Sequence, residues 1–175
     1  MHLLINGAFG IGKSTVAREL RSLLPRSVIF DPEWVGLTLQ HLPGRRVSDF
    51  QHLAAWRSLT VAGARLVGSV RSPVIIPMAF SESEYLQQVR SGLARSGRPV
   101  LHFCLTAPLE VIRERLAARG EALHDPRYAW VHRRAAECWA AHRASDFAVH
   151  VRTEGRSPAA IAAEIAACSR HEAAA

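Results

Sequence analysis

The amino-acid sequence predicts an α/β fold in which a five-stranded parallel sheet lies between two layers of helices. Five short apolar runs alternate with segments whose apolar residues recur at helical spacing. A glycine-rich loop joins the first apolar run to the first helical segment. Strands separated by helices are typical of parallel sheets covered on both faces. No internal repeat or linker interrupts the 175 residues, so we expect residues 1–175 to form one domain.

The predicted strands are short and rich in aliphatic residues. In chain order they span residues 2–6, 27–31, 74–78, 100–105 and 147–151. The carboxyl ends of parallel strands meet at one edge of a sheet, where ligands bind. This rule directs attention to the residues after the first three strands, which are residues 7–14, Asp31 and residues 77–80. We therefore expect Met78 to contact a substrate.

The predicted helices have recognisable start signals. Residues 48–51 and 81–84 have the pattern of capping boxes, and Pro108 falls in the first turn of a helix. The helices span residues 13–24, 32 to about 42, 48 to about 70, 81 to about 97, 108 to about 120, 129–142, and a last segment that opens at Ser157-Pro158. A turn is predicted at Pro43-Gly44, and a polar segment at residues 121–127 separates two helices.

Residues 7–15 read GAFGIGKST and satisfy G-x-x-x-x-G-K-[ST] at every fixed position. The motif also follows a predicted strand and opens a predicted helix, as a phosphate-binding loop must. Lys13 is the only lysine among 22 Lys and Arg residues, and a compact ammonium suits this loop better than a guanidinium. We expect ATP phosphates to bind the loop and Ser14 to bind Mg²⁺. The loop residues are Gly7, Ala8, Phe9, Gly10, Ile11, Gly12, Lys13, Ser14 and Thr15.

Composition excludes several classes of protein. The net charge is +7 and the pI is about 10.6, but the arginines are scattered without interleaved aromatic residues, so we expect no nucleic-acid partner. No apolar run approaches the roughly 20 residues of a membrane span. Three cysteines at wide spacing indicate a reduced, cytoplasmic protein without a zinc site. The third strand, VIIPM, lacks the carboxylate of motor-type NTPases, which leaves small-molecule kinases.

Asp31 is the candidate catalytic carboxylate, because it follows the second strand at the edge where the phosphate loop lies. It could accept a proton from an attacking hydroxyl or hold a water on Mg²⁺. Asp31-Pro32 is equally a standard way to begin a helix, with Asp as the N-cap. Glu33 is a second candidate of the same type.

Arg57 lies in an apolar stripe of the third predicted helix, where a solvated arginine is unexpected. Either its guanidinium extends to solvent or it enters a polar pocket and binds substrate. Trp34 and Trp56 could form flat walls for a ring, or they could simply pack in the core.

Arg115 and Arg119 flank the buried stripe of the helix that begins near Pro108. Together with the polar segment that follows, they predict an arginine-bearing lid over residues 119–130. Such a lid could stabilise charge on a transferred phosphoryl group and exclude water. Alternatively, these arginines are solvated and pair with Glu110 and Glu114.

The segments INGAFGIGKS, DPEWVG, DFQ…WR, IIPM and RLAAR occur in an order that resembles the tunicamycin-resistance protein family. The resemblance covers most of the chain, from residue 3 to about residue 165. It implies a five-stranded parallel sheet, ATP with Mg²⁺, and a small-molecule substrate that is a nucleoside antibiotic. Carried over by position, it places Asp31 beside the acceptor hydroxyl, Arg57 and Trp34 near the substrate, Arg115 and Arg119 in the lid, and Thr153 at the adenine.

The function that this resemblance implies is phosphorylation of a hydroxyl on the antibiotic, which would give resistance or self-protection. Two alternatives stay open: an ATP-binding protein that sequesters the antibiotic unmodified, and a kinase for a small metabolite. Some relatives continue into a basic amphipathic tail, whereas this chain ends at Ala175, so we expect no membrane role. The sequence allows a monomer or a homodimer.

Overall fold

Five parallel strands form the sheet of the computed structural model, which describes residues 1–40, 49–147 and 149–174. The strands are β1 (His2–Gly7), β2 (Val28–Ile29), β3 (Val74–Pro77), β4 (Val100–Thr106) and β5 (His150–Arg152). Their order across the sheet is β2-β3-β1-β4-β5, and every neighbouring pair is parallel. The predicted five-stranded parallel sheet is confirmed.

Seven α-helices connect the strands within the described residues. They are α1 (Lys13–Leu23), α2 (Pro32–Gln40), α3 (Ala54–Val70), α4 (Ser83–Ala94), α5 (Leu109–Ala117), α6 (Ala129–Ala141) and α7 (Pro158–Ala174). Short 3₁₀ turns occur at Phe50–His52, Pro126–Tyr128 and Ser145–Phe147. None of the described helices combines the length and hydropathy needed to cross a bilayer.

The central strand β1 contributes side chains to two apolar cores, one on each face of the sheet. Leu3 and Ile5 pack in a core with α1 and α7, whereas Leu4 packs in a core with α3 and α4. All three side chains are fully buried. Each contributes about 1.5–3 kcal/mol through the apolar surface it removes from water. Burial on both faces explains why β1 is a continuous apolar run and does not alternate with polar residues.

The two edge strands are shorter than predicted. β2 covers Val28–Ile29 of the predicted residues 27–31, although the Phe30 amide still donates to the Ile75 carbonyl at 2.9 Å. β5 begins at His150, not at residue 147. Phe147 is buried, but it reaches the core from a 3₁₀ turn. The apolar character of this segment predicted its burial correctly and its backbone conformation incorrectly, because a buried strand and a buried turn give the same apolar signal in the sequence.

Two helix starts also differ from the sequence pattern. Asp49 caps the 3₁₀ turn before α3: its Oδ1 accepts the Gln51 amide at 2.9 Å. Ser48 and the predicted Pro43-Gly44 turn lie outside the described residues. The prediction that Ser81 caps α4 is wrong, because that helix begins at Ser83 and the Ser81 hydroxyl instead accepts a hydrogen bond from Arg134.

Candidate active site

The phosphate loop connects β1 to α1 and is shaped by two glycines. Gly10 has φ +82° and Gly12 has φ +105°, conformations that favour glycine. A Cβ on Gly10 would lie 2.7 Å from Leu116 Cγ, so a larger residue does not fit there. Gly12 is the N-cap of α1 and makes no side-chain cap. The first amides of α1 are therefore free of a capping side chain, and the helix dipole favours an anion at this point.

Lys13 lies across the phosphate loop. Its Nζ donates to the Ala8 carbonyl at 2.9 Å and lies 5.4 Å from the centre of the Phe9 ring. Burial lowers the pKa of Lys13, and the charge of Arg119 lowers it further, whereas Glu33 raises it. The ammonium is thus held over the loop, where a phosphate would compensate the cost of desolvating it.

A groove of about 390 Å³ runs from the phosphate loop to the segment after β5. It brings together the predicted nucleotide-binding residues Thr15, Arg119 and Thr153. The full lining is Gly10, Ile11, Gly12, Thr15, Val16, Arg115, Ala118, Arg119, Thr153, Arg156, Pro158 and Ile161. The groove offers both apolar contacts and cationic side chains, as a nucleotide base and its phosphates require.

Arg115 joins the two sides of this groove. Its Nη1 donates to the Ile11 carbonyl at 3.0 Å and to Thr153 Oγ1 at 2.9 Å, and its Nη2 donates to the Thr153 carbonyl at 3.0 Å. The guanidinium therefore fixes the phosphate loop against the segment that follows β5. A direct catalytic role for Arg115 stays a prediction, as does that of Arg119, which is exposed just after α5.

A second, much smaller cavity of about 20 Å³ is lined in part by Phe9 of the phosphate loop. Met78 lines it, together with Phe9, Pro32, Glu33, Phe50, Gln51, Trp56, Pro77 and Ala79. Trp56 is only 2% exposed, and its Nε1 donates to the Pro32 carbonyl at 2.9 Å. Its indole thus fixes the start of α2 against α3, and the same side chain both packs in the core and lines the cavity.

Asp31 and Glu33 lie at the start of α2, next to this cavity. Asp31 Oδ1 accepts the Glu33 amide at 2.9 Å, which is the helix-capping arrangement. Partial burial raises the pKa of the Glu33 carboxyl, repulsion from Asp31 raises it further, and attraction to Lys13 opposes both. Glu33 is therefore electrostatically coupled to the phosphate-loop lysine, and both carboxylates are candidates for proton transfer.

Three of the predicted substrate residues, Asp31, Trp34 and Arg57, do not line this cavity. Trp34 projects from α2 and is 71% exposed. Arg57 lies in a groove between α3 and α4, where its Nε donates to Gln88 Oε1 at 2.7 Å and its guanidinium lies 4.2 Å from the centre of the Tyr85 ring. Contact of Trp34 and Arg57 with a substrate stays a prediction.

The sequence model described as an AAA domain matches residues 3–145. The tunicamycin resistance protein of Deinococcus radiodurans is 32% identical, with a TM-score of 0.76, and the match covers 96% of this chain and 94% of that protein. The chain belongs to the tunicamycin-resistance protein family. No curated protein sequence matches this family member.

More distant structures share the fold of this tunicamycin-resistance family member. A gluconokinase of Sinorhizobium meliloti 1021 is 18% identical with a TM-score of 0.68, and the match covers 98% of this chain and 92% of that one. A shikimate kinase of Acinetobacter baumannii, in complex with shikimate, is 14% identical with a TM-score of 0.61, over 98% of this chain and 93% of that one. These likenesses show that the chain has the same fold as these small-molecule kinases.

The sequence analysis missed a polar cluster beside the phosphate loop of this family member. The Asn6 amide pairs with the backbone of Phe80: its Oδ1 accepts the Phe80 amide at 2.9 Å and its Nδ2 donates to the Phe80 carbonyl at 3.4 Å. His142 Nε2 lies 3.3 Å from the same Nδ2. Asn6 is a polar residue at the end of an apolar strand, and that departure was the only available signal. Nothing in the sequence indicated its partners.

Among the described residues, no group of three or more His, Cys, Asp or Glu side chains could hold a metal ion. Oxygen donors in this region are the hydroxyl of Ser14, an exposed residue of the loop motif, and the carboxylate of Glu33, which lines a cavity with Phe9 of the loop. Magnesium prefers oxygen ligands and usually binds through few protein groups and the phosphates of a nucleotide. This donor set fits Mg²⁺ that arrives with a nucleotide.

Proposed function

We propose that the protein transfers the γ-phosphoryl group of ATP to a hydroxyl of a nucleoside antibiotic of the tunicamycin type. The observation that carries the proposal is geometric: Lys13 Nζ lies 5.4 Å from the centre of the Phe9 ring, and Phe9 lines the same small cavity as Glu33 at the start of α2. A phosphate-binding cation and an acceptor-side carboxylate thus lie within one site. The proposed substrate class is taken from the family, because a relative that is 32% identical is a tunicamycin resistance protein.

In the proposed reaction the acceptor oxygen attacks the γ-phosphorus, the bond from that phosphorus to the bridging oxygen breaks, and ADP leaves. The proton of the acceptor hydroxyl passes to a carboxylate, for which Asp31 is our first assignment and Glu33 our second. Lys13 and the loop amides bind the β- and γ-phosphates, and Arg119 adds positive charge beside them. Arg115 holds the loop in place.

Mg²⁺, when bound, would neutralise charge on the phosphates during transfer. Ser14 would bind it through its hydroxyl, and Asp31 could orient a water in its coordination shell. Phe9, Phe50 and Met78 give apolar walls, but the cavity that they line, at about 20 Å³, has room for about one water, so an acceptor binds there only if these walls move apart.

The second candidate is a protein that binds ATP and sequesters the antibiotic without modifying it. One observation favours it: Asp31 already accepts a helix-capping hydrogen bond, so its carboxylate has a structural role apart from catalysis. A small-metabolite kinase is the third candidate, and the fold shared with gluconokinase and shikimate kinase is compatible with it.

A mass-spectrometric assay separates the three. Purified protein is incubated with Mg²⁺-ATP and either tunicamycin-like nucleosides or a panel of sugars, sugar acids and nucleosides. We expect a product that is heavier than the antibiotic by one phosphoryl group, formed together with ADP. Recovery of bound but unmodified antibiotic would favour sequestration, and phosphorylation of metabolites alone would favour the third candidate.

A further inference from the structure

Two side chains of α6 and the side chain of its C-cap residue, His142, contact three consecutive residues, 79–81, that follow β3. The contacting side chains are four residues apart and therefore lie on one side of the helix. Arg134 Nη1 donates to Ser81 Oγ at 3.1 Å, Cys138 Sγ donates to the Ala79 carbonyl at 3.5 Å, and His142 Nε2 contacts the Phe80 carbonyl. Residues 79–81 lie outside any helix or strand, and Ala79 lines the small cavity of the site.

The same helix also contacts the phosphate loop and the end of β1. Trp130, in the first turn of α6, packs edge-on against Phe9 with ring centres 5.4 Å apart. At the other end of α6, His142 contacts Asn6, the residue before Gly7. α6 therefore lies between the loop that would hold the phosphates and the segment that would face the acceptor.

Arg134 extends this connection to the second wall of the small cavity. Its Nη2 pairs with Asp49 Oδ2 at 2.9 Å, and the two side chains are only 11% and 8% exposed. Asp49 in turn caps Gln51, whose Nε2 donates to the Ala79 carbonyl at 3.2 Å. One guanidinium thus ties α6 to both chain segments that line the acceptor side.

We propose that α6 couples nucleotide binding to the shape of the acceptor wall, and that Arg134 is the positioning residue that makes the coupling. This inference rests on the proposed function, because it assigns the phosphates to one side of α6 and the acceptor to the other. A helix moves as a rigid body, and the polar contacts from α6 to residues 79–81 make that segment move with it. The buried Arg134–Asp49 pair favours one geometry, since the Asp49 carboxylate is costly without Arg134, which also pairs with Glu137 Oε2 at 2.6 Å.

Hydrogen exchange of the peptide that contains residues 79–81 tests the coupling without requiring a known acceptor. Exchange is compared with and without Mg²⁺ and a non-hydrolysable ATP analogue. We expect the analogue to slow exchange of this peptide by about tenfold in the wild-type protein, within the range typical of coupling between two sites. In the Asp49→Asn/Arg134→Met double variant we expect no nucleotide-dependent change.

The variants are chosen to separate coupling from stability. The double variant removes both charges together, so it leaves no unpaired buried charge, and the amide oxygen introduced by Asp49→Asn can still cap Gln51. Arg133→Met is the matched control, because Arg133 is the neighbouring residue on α6 and its side chain is 64% exposed. If the double variant does not fold, Arg134→Lys replaces it. Lysine keeps the charge and loses the planar fork, so a partial loss of protection is expected.

Equal nucleotide-dependent protection in the wild type and the double variant would overturn the inference, and so would an equal loss in Arg133→Met. A wild-type protein that shows the coupled protection but yields no phosphorylated product would disprove the kinase proposal alone. Product formation without coupled protection would disprove the coupling alone. Where an acceptor is found, the ATP analogue should tighten acceptor binding in the wild type and not in the double variant, and by linkage the acceptor should tighten ATP binding only in the wild type.

Discussion

At the scale of single residues, two neighbouring carboxylates differ in what they contact. Asp31 accepts a backbone amide and begins α2, whereas Glu33 is coupled through space to Lys13. The raised pKa of Glu33 makes it a better proton acceptor than an ordinary carboxylate, whereas Asp31, two residues after β2, is the base that the sequence predicted. The site therefore contains a predicted base and a competitor two residues away.

Replacing each carboxylate by its amide distinguishes the two roles. Asp31→Asn keeps the capping oxygen, so the fold should be unchanged, but it removes the base; kcat should fall by about 10²-fold or more while ATP affinity stays within about twofold. Glu33→Gln should lower kcat by less than about tenfold. Steady-state kinetics and calorimetry with ATP provide the measurements. A larger loss in Glu33→Gln than in Asp31→Asn would move the assignment of the base to Glu33.

At the scale of elements, one side chain of α5 holds together two loops that follow different strands, the phosphate loop after β1 and the segment after β5. Arg115 projects from α5 and bonds to Ile11 in the phosphate loop and to Thr153 after β5. Thr153 is almost fully buried, so its hydroxyl depends on Arg115, whereas its carbonyl also accepts the Arg156 amide at 3.4 Å. Arg115 was predicted as a lid residue that acts on the phosphoryl group, and that role stays a prediction; its observed contacts also give it a positioning role.

Arg115→Met should therefore weaken nucleotide binding more than it slows phosphoryl transfer. The loss of three hydrogen bonds from a charged donor should cost about 1–3 kcal/mol, seen as a lower Tm and roughly a tenfold higher Kd for ATP. Thermal unfolding and calorimetry measure both. Arg152→Met is the control, because that side chain is 79% exposed and pairs only with Glu154 among the described residues. A large fall in kcat with unchanged Tm and Kd would support the catalytic role.

At the scale of the whole molecule, three buried histidines make the fold sensitive to acid. Burial lowers the pKa of His2, His102 and His142 to about 4 in each case, from an ordinary value of 6.5. These side chains are neutral in the folded protein and take up protons more readily in the unfolded chain. Between pH 6.5 and about 4 the unfolded state therefore binds more protons, and the free energy of unfolding falls as the pH is lowered.

Denaturant unfolding between pH 7.5 and about 4 should show this loss, which is on the order of 3 kcal/mol for each histidine. His102→Leu should reduce the pH dependence by about a third, because it removes one of the three histidines. Neither ring nitrogen of His102 has a hydrogen-bond partner among the described residues, so the substitution removes no hydrogen bond. His171→Leu, at an exposed position of α7, is the control and should leave the dependence unchanged. A pH profile that His102→Leu does not alter would contradict the assignment.

The sequence alone predicted the parts of the molecule that depend on local pattern. Apolar runs and helical periodicity indicated each strand and helix, and residues 7–15 indicated the phosphate loop, because these signals come from neighbouring residues. Errors occurred where one pattern fits two structures: Phe147 is buried in a turn and not in a strand, and Ser81 receives a hydrogen bond from Arg134 and does not cap α4.

By itself, the sequence determined the fold class, the phosphate loop with its lysine, and the edge of the sheet where a ligand would bind. Only the tertiary structure decided that Arg57 lies between α3 and α4, that Arg115 joins two loops, and that Arg134 pairs with Asp49. The physical reason is the range of the interaction. Periodicity records which face of an element is buried, whereas a guanidinium bonds to whichever oxygen the fold brings near it, however distant along the chain.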